Sequence, residues 1–161
     1  MIHGNGVLVM EALHIFNPIK RSLTGGKNMI SNPKHGWCDF KLRTFNGTPS
    51  YLTDVPIDLL TAFIDYHTKG CGVAWFDEEG NEFSLVITPY SLFIIEEKDK
   101  PVLHDFSEMK IGDVEKELIE DIENDLYGWI NFITDDDPDE IKQHETDIRQ
   151  KLVALKKYVS H

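Results

Sequence analysis

Cys38, Phe40 and Leu42 alternate with Asp39, Lys41 and Arg43, so residues 37–45 carry the period of a strand with one buried face. The turn chemistry of Asn46, Gly47 and Pro49 ends it. Across 53–70 the period changes. Leu60, Phe63, Ile64 and His67 recur at helical spacing, Asp54 or Val55 caps the start, Pro56 sits in the first turn and Gly70 closes the end. Four short apolar runs follow at 71–76, 82–88, 91–97 and 102–106, and Phe83, Leu85 and Ile87 mark one buried face. Connections this short force antiparallel pairing. Farther on, Ile111, Val114, Leu118, Ile122, Leu126, Trp129 and Ile133 recur every three or four residues, which predicts one long amphipathic helix over 111–133. Asp137 as N-cap and Pro138 at the first position open a last helix, striped by Ile141, Ile148, Leu152, Leu155 and Val159. The pattern is α+β: an antiparallel β-sheet meander with helices packed on one face.

The periodic part begins after Met29. Residues 1–28 carry Lys20, Arg21 and Lys27 against Glu11 alone, and 17–28 are rich in turn residues. Gly25, Gly26, Lys27 and Asn28 correspond to guanine- and adenine-rich codons just upstream of the Met29 codon, as a bacterial ribosome-binding site would be if translated. We therefore expect an N-terminal extension over 1–28, upstream of a natural start at Met29, and a single α+β domain over 29–161. The alternative is that the apolar run 7–16 docks on the domain as a strand or helix. That run lacks the basic flank and small-residue cleavage site of a secretory signal. With two cysteines in 161 residues and 41% apolar composition, the chain fits a reduced, cytoplasmic globular protein without a membrane span.

Charge narrows the function. The net charge is −12, and residues 108–140 hold thirteen carboxylates against Lys110 and Lys116. Such a field repels phosphate backbones and anionic lipid, so neither nucleic acid nor membrane is an expected partner. The Gly-Lys of 21–28 lacks the first glycine and the hydroxyl residue of a phosphate loop. His35 with Cys38, and His67 with Cys71, do not have the spacing of a closed zinc site, and Cys38 belongs to the inward set of its strand. The acidic stretches 77–82 and 135–140 lack the ligand order of a calcium loop. Neither a metal nor another cofactor is expected. No nucleophile elbow or zinc-protease motif is present, and His104 and Asp105, adjacent in a strand, point to opposite faces. We expect no enzymatic activity.

The remaining signal is the helix at 111–133. Its apolar stripe turns Asp113, Glu117, Glu120, Asp121 and Asn124 outward, with Tyr127 near that face, and Asp135, Asp136 and Asp137 extend it past the helix end. Like charges three and four residues apart destabilise an isolated helix by about 0.2–0.5 kcal/mol per pair. A solvated face is the plain explanation, whereas nearly uniform sign points to a basic protein partner with Tyr127 as an aromatic anchor. With Gly36–Phe40, Tyr51–Pro56 and the run 77–88 in a small acidic α+β domain, residues 29–161 resemble in overall profile the immunity proteins of bacterial polymorphic-toxin and contact-dependent inhibition systems. That resemblance implies binding of a cognate toxin, often a basic nuclease, and it assigns no role residue by residue. The alternatives are a small ligand-binding or regulatory domain, or an enzyme whose site is assembled in space.

Overall fold

A computed structural model describes residues 28–133 and 135–160. The expected extension over 1–28 therefore lies, apart from Asn28, outside the described residues. Two antiparallel sheets are present. The first is three-stranded, in the order β1 (Ile30–Lys34), β2 (Trp37–Leu42), β3 (Phe45–Gly47). The second is the expected meander, β4 (Gly72–Asp77), β5 (Glu82–Ile87), β6 (Leu92–Glu97) and β7 (Val102–Asp105), each strand paired with the next. Between the sheets comes α1 (Val55–Lys69). After them come α2 (Ile111–Asn124), α3 (Leu126–Ile130) and α4 (Pro138–Val159). The fold is α+β.

Three details depart from the sequence pattern. Residues 37–45 are not one strand: Arg43 and Thr44 form a two-residue turn, Leu42 faces Phe45, and Arg43 takes a φ of 54°. The turn restores Phe45 to the buried side, which an unbroken alternation would have left in water. Strand β1 also goes beyond the expectation. Its Pro33 is tolerated because β1 is an edge strand, where no ladder bond is needed. The helix expected over 111–133 breaks at Asp125 (φ −137°, ψ 48°), whose carboxylate accepts from the Gly128 amide to cap α3. A Cβ on Gly128 would stand 2.7 Å from the Pro33 ring, so the break lets α3 settle directly on β1.

The core lies between the inner face of the second sheet, the first sheet and the helices. Phe40 and Phe45 meet Phe83 at ring separations of 5.1 and 5.0 Å, and Phe40 meets Phe76 at 5.8 Å, so one aromatic cluster joins the two sheets. Helix α1 lies on β4 at backbone contact. A Cβ at Gly72 would fall 1.8 Å from the Ala62 carbonyl oxygen, so this position accepts only glycine. Helix α4 packs on α1, α2 and α3, and α2 reaches β1. Helix α1 thus covers the inner side of the meander, and the first sheet meets the same side through Phe40 and Phe45. Among the described residues no helix is long and apolar enough to cross a membrane.

Candidate protein-binding surfaces

The acidic stripe of α2 is real but narrower than expected. Asp113, Glu120 and Asn124 are exposed and Glu117 is half-buried. Tyr127, at the start of α3, is 82% exposed. It lines a hollow of about 400 Å³ together with Lys34 at the end of β1 and His35 of the β1–β2 turn. Asp135, Asp136 and Asp137 are exposed, and Asp137 accepts from the Asp139 amide at 2.9 Å to cap α4. At the side of the stripe Glu123 is paired with Lys156 of α4.

Asp121 does not belong to this surface. It is 6% exposed and accepts from the backbone amides of Met29 at 2.6 Å and Ile30 at 3.1 Å. On a helix of about 100° per residue it stands roughly 80° from Asp113, at the boundary of the stripe, where β1 closes over it. Burial pushes its carboxyl up to about 7, with Glu117 and Glu120 adding repulsion and the two amides opposing.

A second surface has no forewarning in the charge pattern. Alternation along the meander sends Ala74, Phe76, Phe83, Leu85, Ile87, Leu92 and Ile94 inward. It sends Val73, Trp75, Val86, Phe93, Ile95 and Leu103 to the opposite face. Cross-strand register brings these six together: Val73, Val86 and Phe93 form one row, and Trp75, Ser84, Ile95 and Leu103 the next. Val73 is 59%, Leu103 60% and Trp75 42% exposed, and the other three are half-buried. The next row along the strands is made of carboxylates, Asp77, Glu82 and Glu97, and Asp105 ends the Val73 row. Trp75 Nε1 donates to Glu82 at 3.1 Å. Glu97 is held above the usual carboxylate range by a hydrogen bond shared with Glu82 across the strands. The signal was available in the sequence: in β4 and β6 both alternating sets contain large apolar residues, so one set had to face solvent or a partner.

Other polar groups are engaged in holding the helices together. His67 of α1 meets buried Glu115 of α2 at 2.5 Å and stacks on Tyr158 of α4 at 4.4 Å. Burial raises the Glu115 carboxyl against the pull of His67. Buried His144 of α4 donates from Nδ1 to the Ile130 carbonyl at 2.7 Å and meets the Asp54 carboxylate at 2.9 Å through Nε2. Asp54 is the N-cap residue of α1, but its carboxylate turns to His144 instead of the helix amides. Cys38 is buried in the first sheet, where burial pushes its thiol well up, and Cys71 is exposed. His104 meets Glu96 at 2.6 Å, while Asp105 accepts from Ser107 on the other side of the strand. Among the described residues no three His, Cys, Asp or Glu side chains converge as a metal site would require.

No family model matches this chain, and neither a curated protein nor a solved structure does.

Proposed function

We propose that this chain is a protein-binding module for a basic protein partner, working as an immunity protein that neutralises a bacterial toxin. The observation that carries the reading is the outer face of the second sheet, where six apolar side chains lie in register beside four carboxylates. Exposed apolar patches rimmed by polar groups mark interaction sites on soluble proteins. The sign of the rim selects the occupant. A second copy would set Asp77, Glu82, Glu97 and Asp105 against an identical carboxylate set, whereas a partner with an apolar centre and lysine or arginine at its edge would pair with them. The acidic stripe of α2 adds long-range attraction for the same class of partner.

The test takes the open reading frame adjacent to this gene, expressed alone and with this protein. Toxicity relieved by co-expression, with a purified complex, is the expected result. Trp75→Lys with Leu103→Lys should abolish protection while leaving the melting temperature within a few degrees, because both side chains are exposed. A harmless neighbour would remove the basis for the immunity reading. Full protection by the double variant would move the interface off the sheet. A wild-type dimer in sedimentation that the same variant converts to monomer would make the face a self-association surface.

A further inference from the structure

Asp121 is a buried acid in an unusual setting. Its hydrogen-bond donors are two backbone nitrogens, Met29 at 2.6 Å and Ile30 at 3.1 Å. Among the described residues, the charged groups that act on it, Glu117 and Glu120, share its sign and its helix. Among the described residues no ion pair includes it. A carboxylate removed from water strongly favours a cation beside it. The closer of its two donors is the nitrogen of Met29, a methionine whose side chain is fully buried and whose carbonyl accepts from Lys41 at 2.8 Å. In a chain that begins at Met29, that nitrogen is an α-ammonium group with three protons and a full positive charge. We propose that Met29 is the N-terminal residue of the working protein and that its α-ammonium group is the counter-ion of Asp121. The second residue of such a chain is Ile30, too large for the aminopeptidase that trims initiator methionine, so Met29 stays in place. The purine-rich codons implied for 25–28, just upstream, point independently to the same start.

The pairing defines a built end to the domain. β1 begins one residue later, at the edge of its sheet, and the ion pair fastens that edge to α2. The groups bearing on the ammonium are then Asp121, with Glu117 and Glu120 behind it on α2, all favouring its charged form.

The experiment expresses the gene behind its own upstream region in a bacterial host and reads the purified product by intact mass and N-terminal sequencing. The product should begin at Met29. Inactivating the Met1 initiation codon should leave its amount unchanged, and Met29→Leu should reduce it at least tenfold. A product that starts before Met29, or one that persists at wild-type level with Met29→Leu, overturns the proposal. Carboxyl NMR of the purified product supplies a second reading. Asp121 should titrate at least two pH units below neutrality when the ammonium is beside it, and titration near 7 would show that no counter-ion is present.

Discussion

At the scale of single residues, Asp121 shows how little separates a solvated carboxylate from a structural one. Asp113, Glu117, Glu120 and Asp121 share one helix, yet a rotation of roughly 80° moves the last of them from water to the seam with β1. The consequence is testable. Asp121→Ala leaves the backbone nitrogens of Met29 and Ile30 buried without an acceptor, and each such orphan costs about 1–3 kcal/mol or more. Glu120→Lys, on the exposed stripe, should change stability by no more than about 0.5 kcal/mol. Urea unfolding of both variants checks the contrast, and equal midpoints would mean that Asp121 carries no structural bond. Charge reversal at Asp121 is accordingly unsuitable for probing a binding surface, because any loss of binding would follow from loss of the fold.

At the scale of elements, periodicity located the meander and α4 because each is a continuous run with a single phase. It passed over the Arg43-Thr44 turn, although Phe45 falls out of phase with Cys38, Phe40 and Leu42 and so carried the signal. It joined α2 to α3 because Leu126 and Trp129 keep the helical spacing across a break made by Asp125 and by the approach of Pro33 to Gly128, a long-range contact that no local pattern reports. The seams between helices were equally hidden, since Asp54 and His144 are ninety residues apart in sequence. That seam has a pH signature. Burial opposes the His144 imidazolium, but the Asp54 carboxylate, the Ile130 carbonyl and Asp147 outweigh it and raise the pKa above the ordinary value. A group whose folded pKa is raised stabilises fully below its unfolded value, about 6.5, and loses that contribution as pH rises through the folded value. Asp58, raised by burial to about 6, makes stability fall over a lower window, from about 3.9 upward. His144→Gln leaves Asp58 in place, so the difference between wild type and variant isolates the histidine. We expect the variant to be less stable by about 1.5–3 kcal/mol below pH 6, the range for hydrogen bonds to a charged group, with the gap narrowing above pH 7. A gap that does not change with pH would show that His144 acts through packing alone.

At the scale of the whole molecule, charge and apolar surface are separated. The carboxylate excess lies along α2 and the segment that follows it, while the open apolar face belongs to β4–β7, whose inner side is closed by α1. The two features act at different stages of an encounter. Charges that remain solvated work over a Debye length of roughly 8–10 Å, raise the association rate and are weakened by salt. Apolar groups that become buried work at contact and set the dissociation rate. With the basic partner in hand, Asp113→Lys with Glu120→Lys should slow association, with the deficit shrinking as salt is raised from about 20 to about 500 mM (roughly a fivefold fall in Debye length). The dissociation rate should hardly change. Trp75→Ala with Leu103→Ala should instead accelerate dissociation by roughly tenfold or more at every salt concentration, since truncating a central aromatic anchor costs upwards of about 1.4 kcal/mol. Stopped-flow or surface-based kinetics separates the two pairs. If the lysine pair altered dissociation and the alanine pair did not, the contact surface would be the acidic stripe, and the open sheet face would be left without a role in this complex.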